Sequence, residues 1–225
     1  MKAIGLDIET ANLNMRMENL HFNNPYGWTT SCICIYDGET QEGRYYVKDR
    51  DIIIETLKGA FDDHPVKKQI IGSLYNFTDL KQHLQDYYDM DYTLITHNGL
   101  SFDLPIISKS IDNGGADVLQ QINQFKESNK NVDTCEHLRK HTGYRFKLQN
   151  LIKGILGDSE GKFMESSEAP KEWAKHNYLK VLGYCMGDSI YTYEIYNAVK
   201  QTGDFKAKVK HNRKEFECEV LQVMW

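Results

Sequence analysis

Ala3-Ile4-Gly5-Leu6-Asp7-Ile8-Glu9 is the stretch that decides the fold of this chain, because an apolar run ends there in two acids. Such a run predicts a strand in the core of a sheet. Side chains two positions apart point to the same face of a strand, so Asp7 and Glu9 are expected side by side. Two buried neighbouring carboxylates repel each other and lose hydration, and a divalent metal ion is the usual resolution.

Three residues far along the chain extend this pattern. Asp103 follows a second apolar run, and Tyr184 and Asp188 are four residues apart in a long helical pattern, which places them on one helix face. Taken singly, each residue has a simpler interpretation: acids at a strand end are usually exposed, and a tyrosine in such a helix usually packs. Together, acids and a phenol on regular elements are typical of a two-metal site that cleaves phosphodiester bonds.

The same residues carry a resemblance to the DEDD superfamily of 3′–5′ exonucleases, in its tyrosine-containing DEDDy branch. Leu6-Asp7-Ile8-Glu9-Thr10 is similar to the first motif of the family, and His97-Asn98-Gly99-Leu100-Ser101-Phe102-Asp103-Leu104-Pro105 is similar to the second. Tyr184-Cys185-Met186-Gly187-Asp188 resembles the third. Asn131-Val132-Asp133-Thr134 resembles the Asp-Thr that precedes a helix in this family and is structural there.

The resemblance implies a 3′–5′ exonuclease that uses two Mg²⁺ ions, with Mn²⁺ as a substitute, and releases nucleoside 5′-monophosphates. It implies that Asp7 bridges both ions and that Glu9 and Asp188 are the further ligands of the first ion. Asp103 is implied to act on the second ion, directly or through water. Carboxylates suit these ions, since hard cations prefer oxygen ligands. The hydroxyl of Tyr184 is implied to orient the attacking water. The residues that the resemblance assigns to the terminal nucleotides are Thr10, Leu13, Asn98 and Phe102.

The position of the histidines favours the tyrosine branch. The histidine branch of the superfamily carries its histidine five residues before the last Asp, and Gly183 stands at that position here. His97 is therefore interpreted as a strand-end residue that supports the following loop.

Length and composition predict one compact domain with an addition. The 225 residues are divided into an exonuclease domain, 1–202, and a C-terminal extension, 203–225. No signal peptide or membrane span is expected, and no pair of CxxC elements offers a zinc site. Five cysteines, an odd count, favour reduced thiols and a cytoplasmic protein. The resemblance, which extends to bacterial stand-alone proteins and phage polymerase exonuclease domains, implies a bacterium or a phage-infected cell.

The formal net charge of −5 argues against a protein that binds long duplex nucleic acid, which would need a broad basic surface. Two divalent ions would neutralise four of these charges at the site itself. This charge balance favours a nucleic acid held over a few nucleotides near one end. The resemblance implies that this is a 3′ end, with single-stranded DNA favoured and RNA open.

The patterns of apolar residues predict an α/β fold of the ribonuclease H-like type, in which helices flank a mixed sheet. A helix is expected to begin at Asp103, with Pro105 in its first turn, and Thr78 is the expected cap of an earlier helix. The predicted strands are 2–8, 30–36, 43–48 and 92–96. The predicted helices are 51–63, 77–89, 116–127, 133–141, 147–156 and 171–202.

Three segments lie outside that frame. Residues 14–28 contain cations and aromatic rings that either stack on unpaired bases or cover the core, namely Arg16, His21, Phe22, Tyr26 and Trp28. Residues 157–170 are interpreted as a mobile loop, and the patterns leave open whether they approach the substrate. Residues 203–225 alternate like an added edge strand, and their apolar end docks either on this domain or on a replication or polymerase partner.

Three functions remain open at this level. The first is a metal-dependent 3′–5′ exonuclease for single-stranded or frayed DNA, with proofreading among its roles. The second is a 3′–5′ exoribonuclease with the same chemistry. The third is a non-catalytic scaffold that binds nucleic acid or protein, which the complete set of acids with Tyr184 argues against.

Overall fold

A mixed six-stranded sheet with helices on both faces forms the centre of the protein. The computed structural model describes residues 2–22, 24–59, 65–110, 118–158, 161–211 and 214–225. The strand order is β4-β3-β2-β1-β5-β6, and the pairs β1–β2 and β2–β3 are antiparallel while the others are parallel. The strands are β1 (Ala3–Thr10), β2 (Thr30–Asp37), β3 (Glu42–Val47), β4 (Leu74–Asn76), β5 (Thr93–Thr96) and β6 (Asn131–Asp133).

Helices follow the strands along the chain and cover the sheet. The longest is α9, which contacts β1 and β2 along one face of the sheet. A π-helical turn, Ile152–Leu156, extends α7. The helices are α1 (Arg50–Gly59), α2 (Pro65–Gly72), α3 (Leu80–Asp89), α4 (Asp103–Ser110), α5 (Leu119–Glu127), α6 (Thr134–Thr142), α7 (Leu148–Leu151), α8 (Ala169–Ala174) and α9 (Tyr178–Thr202).

Strand β1 separates two layers of side chains because its residues alternate. Ile4, Leu6 and Ile8 belong to an apolar cluster that includes residues of α3, α4 and α5. The other face of β1 lies under α9. Gly5 permits this close approach, since a β-carbon there would collide with the carbonyl oxygen of Ser189 in α9. The face that carries Asp7 and Glu9 is therefore the face on which α9 packs.

The parallel strands fix where polar groups gather. Strands β1, β5 and β6 run in the same direction, so their carboxyl ends meet at one edge of the sheet. Glu9 stands near the end of β1, β5 ends one residue before His97, and β6 ends at Asp133. Asp103 opens α4 just beyond this edge, with Pro105 in the first turn as predicted.

The C-terminal extension forms a hairpin of its own, β7 (Phe205–His211) and β8 (Lys214–Val220). The predicted edge strand of the main sheet is thus wrong for the described residues, in which β7 and β8 pair only with each other. Apolar residues of the hairpin pack with residues of α7 and α9. Trp225 donates from Nε1 to the carbonyl oxygen of Tyr196 at 3.0 Å, which docks the chain end on its own domain. A further partner for residues 203–225 stays a prediction.

Most other differences from the predicted elements concern ends and short strands. Strands β4 and β6 and helix α2 were not predicted. Thr78 is not a cap: it lies inside a 3₁₀ turn, Phe77–Asp79, where Asp79 accepts a hydrogen bond from the backbone N–H of Asn76 at 2.9 Å. The predicted helix 171–202 is two helices, α8 and α9. Parts of the predicted helices 51–63 and 116–127, at 60–63 and 116–117, lie outside the described residues, as does Asn23 of the 14–28 segment.

Candidate metal centre and its cleft

Asp7, Glu9 and Asp188 form an acid cluster between β1 and α9. One carboxylate oxygen of each residue lies within 4.8 Å of the corresponding oxygens of the other two. Glu9 and Asp188 are buried, and Asp7 is half-buried. Asp7 Oδ2 has no hydrogen-bond partner among the described residues. The strand spacing and the helix position predicted from the sequence therefore bring these three acids together.

Burial raises the pKa of every member of the acid cluster, and repulsion by the other acids raises the pKa of Asp7 and Glu9 further. Burial is the largest cause of the raised pKa of Asp7, followed by the charges of Asp188, Asp103 and Glu9. Burial is also the largest cause for Glu9 and for Asp188. The ionised forms therefore cost free energy unless a cation lies among them.

Asp103 lies beside the acid cluster without belonging to it. It is 5 % exposed at the first position of α4, and it lines the same cleft. Burial raises its pKa first, and the charges of Asp133 and Asp188 raise it further. The separate role that the family resemblance implies for Asp103 stays a prediction.

Tyr184 places an unpaired hydroxyl next to the acids. The residue is 1 % exposed, and its Oη has no hydrogen-bond partner within the described part of the chain. Its ring packs edge-on against Phe163, with 5.7 Å between the centroids. Burial and then the charge of Asp188 raise the pKa of its hydroxyl well above the ordinary range. The group is thus a proton donor, not a phenolate, at any physiological pH.

Lys162 contacts the acid cluster and was not predicted from the sequence patterns. Its ammonium nitrogen lies 2.5 Å from Asp188 Oδ2 and 4.8 Å from the ring centroid of Tyr184. The chain is held there by Gly161 at φ +64° and by a hydrogen bond from the backbone N–H of Lys162 to Gln149 Oε1 at 2.9 Å. A lysine in an irregular segment carries no periodic signal, so only the folded chain reveals its place. The 157–170 segment therefore does reach the acid cluster.

The loop after β5 is built on Asp133. Asn98, at φ +69°, donates its backbone N–H to Asp133 Oδ1 at 2.9 Å, and Leu100 donates to Oδ2 at 2.8 Å. Glu136 donates to Oδ1 at 3.0 Å, which makes Asp133 the N-cap of α6. The side chain of Asn98 accepts a hydrogen bond from Arg145. The structural role that the resemblance implies for Asp133 agrees with these contacts.

His97 lies just after β5 and contacts the first residue of α6. Its Nδ1 lies 2.9 Å from Thr134 Oγ1, and Thr134 donates its own hydroxyl to the carbonyl oxygen of Thr96. Burial lowers the pKa of His97 to about 4, so the ring is neutral near pH 7.

A cleft of about 990 Å³ opens above the acid cluster. All nine residues predicted for the site line it, including Thr10, Leu13, Asn98 and Phe102. The exposed cations on its rim are Arg145, Lys147 and Lys210, which the sequence analysis did not assign to the site.

The aromatic residues of the 14–28 segment divide into two groups. Trp28 is 5 % exposed and packs on Phe102 with 5.0 Å between centroids, so it covers the core. Phe22 lies against both rings, yet it is 63 % exposed and lines the cleft. Tyr26 is 62 % exposed and is not among the residues that line the cleft. Of the two alternatives for this segment, Trp28 thus fits the core and Phe22 fits contact with a ligand.

A second polar group lies on the same face of the sheet. The sulfur atoms of Cys32, Cys34 and Cys185 are within 4.8 Å of one another, and all three residues are buried. Cys34 pairs with Asp7 and Cys32 with Glu9 across β1 and β2. Cys185 donates from its thiol to the carbonyl oxygen of Asp7 at 3.4 Å. This cysteine cluster connects the strands of the acid cluster to α9.

The donors of the acid cluster fit a hard divalent cation. All are carboxylate oxygens, one of them without a hydrogen-bond partner in the described chain, and their close spacing matches shared coordination. The chain matches no protein-family model and no curated protein sequence. Within the described residues, no helix is long and apolar enough to cross a membrane.

Proposed function

We propose that this protein is a metal-dependent 3′–5′ exonuclease of the DEDDy type that acts on single-stranded or frayed DNA ends. The observation that carries this proposal is the acid cluster with the unpaired hydroxyl of Tyr184 beside it, at the base of an open cleft. Acids that are buried together with one carboxylate oxygen left without a hydrogen-bond partner are costly for a fold and useful for binding metal.

The topology supports the ribonuclease H-like part of the proposal. Three antiparallel strands are followed by parallel strands and helices, and α9 crosses the face of β1. This arrangement is compatible with a ribonuclease H-like fold, in which the acids come from the first strand and from helices around it.

The residues of the chain have separable roles in this mechanism. Two divalent ions, when bound, supply Lewis acidity at the attacking and leaving oxygens of an in-line displacement. Asp7 would hold both ions, Glu9 and Asp188 the first, and Asp103 the second. The hydroxyl of Tyr184 stays protonated and orients the attacking water by a hydrogen bond.

The cleft offers contacts for a short unpaired end. Phe22 and Phe102 present rings that can stack on bases, while Arg145 and Lys147 present positive charge for phosphates on the rim. The acidic protein as a whole does not offer a long basic track, which favours contacts with only a few nucleotides.

Digestion of matched DNA and RNA strands tests the proposal. Each strand carries a 5′ label and is incubated with Mg²⁺, with Mn²⁺ or with chelator. We expect a descending ladder on DNA that chelator abolishes and that Asp188→Asn does not produce. A ladder on RNA alone would favour the second function, a 3′–5′ exoribonuclease, over the DNA exonuclease. No degradation of either strand with either metal would overturn the proposal and favour the scaffold.

A further inference from the structure

The ammonium group of Lys162 lies against one acid of the cluster, Asp188, where it supplies a positive charge of the protein's own. It makes an ion pair with Asp188 at 2.5 Å, and its side chain is only 19 % exposed. Its charge lowers the pKa of Asp7, Glu9, Asp103 and Asp188, against the effect of burial on each. One tethered cation thus compensates part of the charge of the whole acid set.

This position conflicts with a bound divalent ion. Magnesium coordinates a carboxylate oxygen at about 2.0–2.1 Å and repels a neighbouring ammonium group. Lys162 contacts Asp188 Oδ2. The carboxylate of Asp188 would also be a ligand of the first divalent ion. The ammonium group and that ion therefore compete for the same carboxylate.

The attachment of Lys162 allows it to leave. Its side chain is a flexible four-carbon stem on an irregular segment, so movement of the stem together with that segment can carry the charge away from Asp188. The adjoining Phe163 is 63 % exposed, although its ring touches Tyr184. Among the described residues, the backbone next to it makes three hydrogen bonds with side chains: Gly161 N–H donates to Asp158, Lys162 N–H donates to Gln149, and the Gly161 carbonyl oxygen accepts from Tyr191 Oη at 3.5 Å. No regular element has to unfold for this movement.

We propose that Lys162 is a built-in counter-cation of the site, which holds the carboxylates together before metal binds and is displaced from them when divalent ions enter. The inference rests on the proposed metal-dependent function, since it concerns how that site is filled. Its consequence is that the wild-type protein binds metal more weakly than its acids alone would. Entry of metal also loosens the contact of Phe163 with Tyr184.

Metal affinity without nucleic acid is the first test. Mn²⁺ binding to the whole protein is measured by titration calorimetry for the wild type, for Lys162→Met and for Lys171→Met. Lys171 is an exposed lysine of α8 and serves as the matched control. We expect Lys162→Met to bind Mn²⁺ at least about tenfold more tightly, because one nearby positive charge is removed, and Lys171→Met to match the wild type. Equal affinities in all three proteins would overturn the inference.

Hydrogen exchange of the wild type is the second test and does not depend on a variant that folds. With saturating Mn²⁺, the backbone amides of 161–165 should exchange faster, while those of β1 and α9 should exchange more slowly. Slower exchange throughout both regions would overturn the inference while leaving the metal site in place. If neither the wild type nor Lys162→Met binds Mn²⁺ at all, the proposed function fails as well.

Discussion

Asp133 and Asp7 are both acids of the central sheet, and they differ in the hydrogen-bond donors around their carboxylates. Asp133 is 3 % exposed, and its carboxylate accepts hydrogen bonds from the backbone N–H groups of Asn98, Leu100 and Glu136. Asp7 Oδ2 has no such donor in the described chain, and other acids surround it. The fold supplies the hydrogen bonds that the carboxylate of Asp133 needs. Within the described residues, Asp7 Oδ2 lacks such a donor, and the carboxylate needs a cation to compensate its charge.

The number of hydrogen-bond donors around a carboxylate distinguishes a structural acid from a functional acid better than its burial does. An acid with three backbone donors stabilises the loop and the helix that provide them. An acid placed among acids destabilises the fold and becomes favourable only when a cation binds. Substitutions at the two positions should therefore have opposite consequences for stability and activity.

The largest effect is expected for activity at Asp7. Asp7→Ala should reduce the cleavage rate by more than about 10³-fold, which corresponds to about 4 kcal/mol in the barrier, since both ions lose a ligand. Its metal-free stability in urea should equal or exceed that of the wild type, because repulsion within the acid cluster decreases. A variant that cleaves at the wild-type rate would remove Asp7 from the mechanism.

The corresponding change at Asp133 should act on the fold. Asp133→Ala removes the N-cap of α6 and leaves two further amides without an acceptor, so we expect a loss of about 3 kcal/mol in the free energy of unfolding. Urea denaturation in the presence of chelator measures it. If Asp133→Ala is as stable as the wild type, the distinction between the two acids does not hold.

Tyr184 provides a smaller effect on turnover alone. Tyr184→Phe keeps the ring that packs on Phe163 and removes the hydroxyl, so we expect a decrease of about 10–100-fold in kcat with little change in Mn²⁺ affinity. Single-turnover digestion at saturating substrate is the measurement. An unchanged rate would restrict Tyr184 to packing.

The raised pKa values of the acid cluster predict how stability depends on pH. The native protein retains protons that the unfolded chain has released above the ordinary carboxyl values of 3.8 and 4.5, so its stability decreases as pH rises through the raised values. The decrease can reach about 1.4 kcal/mol per pH unit for each group. Urea denaturation in chelator between about pH 5 and about pH 8 should show this decrease, and Asp7→Ala should flatten it.

The smallest effect concerns contact with bases. Phe22→Ala should weaken binding of a short single DNA strand by about 1 kcal/mol, since one exposed ring of the cleft is lost. Tyr26→Ala is the matched control, because Tyr26 is equally exposed in the same segment and is not among the residues lining the cleft. Fluorescence anisotropy with the inactive Asp188→Asn background compares the two. Equal losses of DNA affinity in the two variants would mean that Phe22 contributes no more than an exposed aromatic residue that does not line the cleft.

The groups on regular elements could be predicted because local rules place them. Alternation along β1 puts Asp7 and Glu9 on one face, and the four-residue spacing puts Tyr184 and Asp188 on one side of α9. Nothing local says that α9 lies across that face of β1. The family resemblance supplied this step, and Gly5 is the residue that makes the approach possible.

The parts that were missed depend on contacts between distant residues. Lys162 reaches Asp188 only because the chain after α7 returns over the cleft. Strands β4 and β6 have three residues each, too few for a periodic pattern. Alternation in 203–225 did predict extended chain, but the choice between the edge of the main sheet and a hairpin is made by packing on α7 and α9.

The reactivity of the cysteine cluster reports how often α9 separates from the sheet. Cys32, Cys34 and Cys185 are enclosed between β2 and α9, so a thiol reagent can modify them only while α9 is lifted from the sheet. Their modification rate therefore reports the free energy of that opening, with the partly exposed Cys218 as an internal reference. Helix α9 carries Tyr184 and Asp188. The ratio of the modification rates without and with a ligand therefore gives, as RT ln of that ratio, the free energy by which the ligand stabilises α9 against opening.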